Sequence, residues 1–304
     1  MSGHLLTEEG IVPADVLARV QLLRDELELV RFEMGEPKDS RPQIAVAGAS
    51  PREVIFQSFT LLRKANQLHF ELTGELGLEP DIALPPDIQP YHVWRVVDAA
   101  YERVLVVKRR LGITQTVEEK LPDHSTTPTA VFRAIVQANR QFDAVIKRQL
   151  STLDVYQQVR LATRYAARLL QQFPEVSLIP APPAFERGKR PVDVYNLLLQ
   201  CYQQFQVIAE HSGIETLKLE VPSAEAARES SAEIAPTDVY NIALLLLSEL
   251  SYLHAQLPDA EPPQPTYDPN FKVPAQVYQQ AEILLRQLLE LEKQVEANPK
   301  WLAN

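Results

Sequence analysis

The sequence contains a single cysteine, Cys201, which is the first candidate for chemistry because a thiolate can act as a nucleophile. Cys201 nevertheless occupies a position at which matching segments of the chain carry Ala100, Ala138 and Ala162. Unpaired cysteines behave as small hydrophobic residues. We therefore predict that Cys201 is a buried packing residue, and a lone cysteine also leaves no partner for an internal disulfide.

Histidines are the second class of candidates. The six are His4, His69, His92, His124, His211 and His254. No two of them have the spacing of metal ligands within one helix. His69 and His254 occupy the same position in two matching segments, so one hypothesis is a joint metal or acid–base site. We prefer the alternative, in which both are ordinary histidines on the flank of a helix.

Aromatic residues recur at one position of the matching segments. They are Tyr156, Tyr195, Tyr240 and Tyr278, continued by Trp94 and Phe132. They could line a ligand pocket, but core packing with the tyrosine hydroxyl reaching a polar partner is the preferred interpretation.

Motifs of known chemistry are missing from the sequence. It contains no glycine-rich phosphate loop, no G-x-S-x-G turn and no H-E-x-x-H pair. Its carboxylates are scattered, as is typical of solvated helix faces. We therefore predict a protein that is not an enzyme, with no catalytic, cofactor-binding or metal-binding residues and no cofactor.

The elements that position these residues are eight copies of one segment, Pro-x-x-Val followed by an aromatic or large aliphatic residue. The copies begin at Pro13, Pro51, Pro90, Pro128, Thr152, Pro191, Pro236 and Pro274, and only Thr152 replaces the proline. Proline suits the first position of a helix. Ser50 and Thr127 are good N-caps, and a carboxylate such as Asp193 often follows in the first turn. Each copy is therefore predicted to begin a helix.

A regular apolar pattern follows each start. If the valine of each copy is position 0, then positions 0, +4, +7, +11 and +14 are apolar in every copy except for Ser58. We call these positions the seam. Their alternating spacing of four and three is typical of helices packed at a shallow angle, and it excludes strands. The sequence therefore predicts an all-α protein of eight long helices.

Glycines indicate where helices end. Gly77-Leu78, Gly112-Ile113 and Gly213-Ile214 each resemble a C-cap, in which glycine is left-handed and the next apolar side chain packs back. The predicted helices are then about 20 to 24 residues long.

The spacing of the copies predicts an internal duplication of a unit of about 38 residues. Successive valines are separated by 38, 39 and 38 residues, then by 24, then by 39, 45 and 38. We interpret this as two pseudo-symmetric halves of four helices, residues 1–150 and 151–304. The halves form either two domains or one continuous domain, arranged as a bundle or a repeat array.

The linkers decide which helix directions are feasible. About 15 residues reach some 50 Å when extended, whereas a helix of 22 residues is only about 33 Å long. Successive helices could therefore all point the same way, with the proline-rich linkers as extended straps, although the sequence leaves parallel and antiparallel order open. At "RQLSTLDVYQQV" no room exists for a return. Here we expect either a tight hairpin with Ser151 as N-cap or one helix within 128–173, and either would set the halves in opposite senses.

Composition limits the partners and the compartment. A formal charge of −10 and a pI near 5.2 favour a soluble protein and argue against nucleic acid. The longest strongly apolar run, residues 242–247, is too short to insert into a membrane. The N-terminus lacks the features of a signal peptide, which predicts a cytoplasmic protein; a periplasmic or exported protein is the alternative if a signal has been removed.

Together these patterns predict a helical repeat or bundle protein that serves protein–protein interaction or scaffolding, because repeat folds offer extended surfaces. Its partner is then another protein or a second copy. The alternative hypothesis is a small-molecule sensor or ligand-binding bundle, with a pocket near the aromatic positions at the helix N-termini.

Overall fold

The computed structural model describes residues 10–39, 45–75, 77, 87–147, 150–219, 234, 236–258, 261–264, 266, 268, 270–298 and 300–303. Within these ranges, eight α-helices dominate, so the predicted all-α class is confirmed. The helices are α1 (Pro13–Glu33), α2 (Pro51–Thr73), α3 (Pro90–Arg110), α4 (Pro128–Val145), α5 (Thr152–Leu170), α6 (Pro191–His211), α7 (Pro236–Ala255) and α8 (Pro274–Ala297). Two short strands, β1 (Val46–Ala47) and β2 (Lys218–Leu219), and a 3-10 turn (Trp301–Ala303) complete the described part.

Every helix begins at the residue that the repeat indicates, and a recurring hydrogen bond explains this. The backbone N–H of the N-cap donates to the side chain three residues later, as from Ser50 to Glu53 over 2.7 Å and from Arg190 to Asp193 over 2.7 Å. Ser151 forms a full capping box, because its hydroxyl also accepts from the N–H of Asp154. The acceptor is a carboxylate in α1, α2, α5 and α6, His92 in α3 and Gln276 in α8, so a side chain of the first turn helps to fix each of these starts.

Two of the three predicted glycine caps are present. Gly112 (φ +74°) and Gly213 (φ +70°) are left-handed. The N–H groups of Ile113 and Ile214 donate back into the last turn, over 3.1 and 2.8 Å. This is the Schellman motif, which only a residue tolerant of positive φ closes easily.

The third predicted cap, at Gly77, is wrong. Helix α2 ends at Thr73, and left-handed Gly74 (φ +78°) closes it by donating to the carbonyl of Phe70 over 2.8 Å. Gly77 instead lies where a Cβ atom would meet Asn66 Oδ1 at 2.4 Å. Gly77 thus lies close to the side chains of Asn66 and Arg103, which the local sequence does not reveal.

The chain divides into two compact units. The first comprises residues 1–149 and 217–223, and the second comprises 150–216 and 224–304. The sequence did not indicate that a segment following α6 belongs to the first unit. There β2 pairs antiparallel with β1, with Val46 opposite Leu219. Strands of two residues are too short to produce a periodic pattern.

In each unit four helices run in the same direction. Around the first unit the order is α1, α3, α2, α4, and around the second it is α5, α7, α6, α8. The first proline and the seam valine of all four helices of the first unit line one recess, and the matching residues of the second unit line another. The four N-termini of a unit therefore meet at one end, so its helices are parallel.

The seam forms the core of each unit. All forty seam residues, including Ser58 and Cys201, are at most 3% exposed. At position +7 the first unit sets Leu23 and Leu61 on one diagonal pair of helices, while the other diagonal pair carries the small residues Ala100 and Ala138. Large residues thus face small ones within a layer, which fills the interior at constant volume.

Extended straps return the chain along the helices. In the strap between α5 and α6, the carbonyls of Leu178 and Pro183 accept hydrogen bonds from Gln287 and Gln279 of α8, over 2.6 and 2.7 Å. The chain therefore runs antiparallel to α8 before α6 begins. The strap between α7 and α8 follows α5 in the same way, because Arg164 donates to Thr266 Oγ1 over 3.4 Å, and Lys272, later in the strap, contacts Tyr156 near the start of α5.

Residues 128–173 do not form a single helix. Helix α4 ends at Val145, and Ile146 is extended (ψ 136°). Helix α5 begins at Thr152 after its N-cap Ser151. The expectation that the halves have opposite senses stays a prediction.

Candidate functional site

Each unit has a recess of about 250 Å³ where its four helix N-termini meet. The first is lined by Pro13, Val16, Pro51, Val54, Pro90, Val93, Pro128 and Val131, and the second by Thr152, Val155, Pro191, Val194, Pro236, Val239, Pro274 and Val277. Apart from Thr152, these side chains are apolar, and proline contributes no N–H. The recesses therefore suit an apolar group and offer almost nothing to orient a polar ligand.

The aromatic residues at position +1 are not among the described residues that line these recesses. Two of them instead hold strap lysines. Lys272 Nζ lies 4.7 Å from the ring centre of Tyr156, and Lys189 Nζ lies 3.9 Å from that of Tyr278. Both lysines come five residues before a seam valine. Cation–π contacts of this kind fasten a strap to its neighbouring helix.

Cys201 lies in the core, as the sequence indicated. It is fully buried, and its Sγ lies 3.6 Å from the carbonyl oxygen of Ala281. Burial raises the pKa of the Cys201 thiol far above its usual range. Because the thiolate is the nucleophilic form, this environment disfavours covalent catalysis.

His69 and His254 each lie within their own unit. His69 Nδ1 lies 3.0 Å from the carbonyl oxygen of Glu75. The His254 ring meets the Tyr165 ring edge-on at 5.3 Å, and burial, with a smaller effect of Arg168, lowers the pKa of His254. Among the residues that the structure describes, no three His, Cys, Asp or Glu side chains are grouped to hold a metal ion.

A series of polar residues at position +10 was not predicted from the sequence. They are Glu26, Lys64, Arg103, Gln141, Tyr165, Gln204, Glu249 and Gln287, and each carries a polar group. At 3.6 residues per turn, position +10 lies about 80° from the valine around the helix, on the flank that faces one neighbour. Their common polarity was a detectable signal, but it became meaningful only once the neighbours were known.

In the first unit two of the four +10 residues, Glu26 and Lys64, form buried ion pairs between helices. Lys108 Nζ of α3 lies 2.5 Å from Glu26 Oε2 of α1. Lys64 Nζ of α2 lies 2.6 Å from Asp143 of α4 and donates to the carbonyl of Asn139 over 2.9 Å. Each pair joins helices that are adjacent in the order α1, α3, α2, α4.

In the second unit the same flanks carry less charge. Gln204 of α6 donates to Glu292 of α8 over 2.5 Å, and the Tyr202 hydroxyl of α6 donates to Glu249 of α7 over 3.3 Å. Tyr165 meets His254 where the first unit has its Glu26 pair. Apart from Gln287, which donates to the strap carbonyl of Leu178, these +10 residues contact the next helix in the same rotational sense, so their contacts are structural.

Most of the exposed large apolar side chains lie on the segments between helices. Among the described residues, the most exposed are Leu121 (94%), Phe271 (84%), Phe32 (77%) and Ile179 (65%). All but Phe32 lie on straps. The straps therefore present apolar groups to solvent while their backbones are held on the bundle.

No helix in the described ranges combines the length and the apolar composition needed to cross a membrane. Comparison with protein-family models, with curated proteins and with solved structures found no match.

Proposed function

We propose that the protein is a non-enzymatic interaction or scaffolding protein, whose partner is another protein or a second copy. The observation that carries this proposal is the contrast between a filled interior and exposed apolar straps. The seam residues are almost completely removed from water, whereas Leu121 and Phe271 are almost completely accessible. Groups able to contact a partner are therefore found on the straps.

The groups best suited to chemistry support the same proposal, because they already serve structural contacts. Cys201 is packed in the core, and Lys64 and Lys108 are neutralised by carboxylates of adjacent helices. A general acid or base must reach its substrate within hydrogen-bond distance. Side chains enclosed between helices do not meet this requirement without opening the bundle.

A small-molecule role is the second candidate, and the two apolar recesses favour it. Their volume of about 250 Å³ includes space open to solvent. Pockets for small ligands usually enclose about 300–1,000 Å³ and place a few polar groups to orient the ligand. Because part of the 250 Å³ is open solvent, the volume that each recess encloses is far below this range. The walls are mostly proline and valine, so the interaction role is preferred.

Site-specific photo-crosslinking tests the proposal. A photoreactive phenylalanine analogue at Phe271 or Leu121 of the full chain, irradiated in lysate of its source cells, should capture one protein at both positions. The same analogue at Lys293, an exposed position on a polar helix face, is the control. The captured protein must then bind the purified chain directly. Recovery of a stoichiometric small molecule, with no protein partner, would favour the sensor instead.

A further inference from the structure

We propose that the strap between α5 and α6 presents a preformed docking ridge for a protein domain whose groove is lined by aromatic residues and rimmed by carboxylates. The ridge consists of Ile179, Pro182 and Phe185, and we call it the proline ridge. This inference rests on the proposed interaction function and adds the surface and the chemistry of the partner.

The strap sequence favours one backbone conformation. Residues 178–185 read Leu-Ile-Pro-Ala-Pro-Pro-Ala-Phe. Each proline fixes its own φ near −65° and biases the preceding residue toward extended or polyproline II geometry. Residues 180–186 form no helix, strand or turn. The prolines therefore favour the polyproline II conformation that polyproline-binding grooves accept.

Side chains of helix α8 hold the strap by donating hydrogen bonds to the strap's backbone carbonyl groups. Gln287, Arg286 and Gln279 donate to the carbonyls of Leu178, Ala181 and Pro183, over 2.6, 3.2 and 2.7 Å respectively. The end of the strap is fixed as well, because Lys189 pairs with Glu186 at 2.7 Å and contacts the Tyr278 ring. A partner would therefore not have to order the segment, which removes a major entropic cost of binding.

The residues of the proline ridge are spaced for one face. Polyproline II has three residues per turn, so in that conformation positions 182 and 185 lie along the same edge, and Ile179, at the bend just before residue 180, continues the spacing. Ile179 is 65% exposed, Phe185 is 48% exposed and Pro182 is also exposed. Pro180 and Pro183, on another edge, are half-buried. The strap thus presents three exposed apolar side chains at intervals of three residues.

Charge next to the ridge indicates the rim of the partner's groove. Arg187 follows Phe185 closely and is exposed, and the Arg190 side chain is 75% exposed. A groove with carboxylates at the matching end would bind faster and in one orientation. The partner class is therefore an acidic-rimmed, aromatic-lined groove.

Direct titration tests this inference. The full-length protein is added to isotope-labelled SH3, WW and EVH1 domains with acidic rims, the three groove classes that recognise such segments. We expect saturable shifts at the aromatic groove of at least one class. The variant I179S/F185S should weaken that binding by about tenfold or more, since anchoring side chains dominate interface energies. The matched control F32S, which removes a strongly exposed apolar side chain from helix α1, should bind as the unchanged protein does.

Further measurements complete the test. R187E should weaken binding several-fold, and unchanged unfolding midpoints must show that the variants fold. Absence of binding by all three classes, or equal binding by I179S/F185S, overturns the proline ridge. A dimer of the unchanged protein that I179S/F185S dissociates also overturns it, because the occupant is then a second copy. In either case, crosslinks at Leu121 or Phe271 would still support the broader interaction function.

Discussion

Lys108 and Glu26 depend on each other because both are removed from water. Their charged atoms are 2.5 Å apart, and each side chain is less than a tenth exposed. In such a pair the mutual attraction mainly offsets the cost of dehydration. The pair therefore contributes little net stability compared with an apolar pair, but the loss of either partner is costly.

The variant K108M should lower the free energy of unfolding by about 3–5 kcal/mol, because it leaves the Glu26 carboxylate buried without its counter-charge. The double variant E26L/K108M should recover most of this loss. Urea denaturation with a check of the slope measures both. Equal destabilisation by the single and the double variant would contradict this account.

His254 should make stability depend on pH near neutrality. Burial lowers its pKa below the ordinary value of 6.5, so the unfolded chain binds a proton more readily than the folded one. Stability is therefore lost as pH falls below about 6.5, and the loss levels off below the folded pKa.

H254F keeps a ring beside Tyr165 and removes the titrating group. We measure the unfolding free energy of both proteins across this pH range. As the pH falls below about 6.5, the unchanged protein should lose stability relative to H254F. A pH-independent difference would exclude His254 as the source.

At the scale of elements, the straps make a parallel bundle possible. Each must carry the chain back along a helix, and the described straps do so while contacting that helix through backbone carbonyls and lysines. The helix ends are therefore points where the chain reverses sharply. Left-handed glycines at Gly112 and Gly213 meet this need.

The variant G112A should lower the free energy of unfolding by about 1–2 kcal/mol, the cost of a left-handed conformation for an L-residue. A Cβ at Gly112 would meet no atom within 4 Å, so no clash contributes. G112N is the matched control and should cost less, since asparagine tolerates this conformation better. Thermal unfolding compares the two, and equal losses would argue against a conformational origin.

At the scale of the whole molecule, each unit fills its own core with its own seam. Leu61 and Leu246 each lie at position +7, in the core of the first and the second unit respectively, and both are fully buried. Truncating either side chain should therefore affect mainly the unit that contains it.

L246A should cost about 2–5 kcal/mol, as is typical of buried leucines. Hydrogen exchange read by mass spectrometry should show the greatest loss of protection in α5 to α8, whereas L61A should affect α1 to α4 most. Equal loss in both units after either substitution would show that they unfold as a single cooperative body.

The element type, the first residue of each helix and the forty core positions could be predicted from sequence alone. The physical reason is that capping and seam periodicity depend on residues close together in the chain. Pro191, Asp193 and Val194, for example, define the start of α6 within a single helical turn. Two glycine caps were predicted for the same reason. The end of α2 was not, because Gly77 resembles a cap in sequence whereas Gly74 is the residue that adopts the left-handed conformation.

Only the tertiary structure decided which helices are neighbours, where the straps lie and which residues the +10 side chains meet. The seams of the eight helices have nearly the same apolar pattern. They therefore specify which residues are buried, but not which helix packs against which. The pairing of Lys64 with Asp143, the position of residues 178–185 on α8 and the pairing of β2 with β1 each join distant parts of the chain. Such contacts form only when the whole chain folds, and they include the exposed ridge on which the proposed interaction depends.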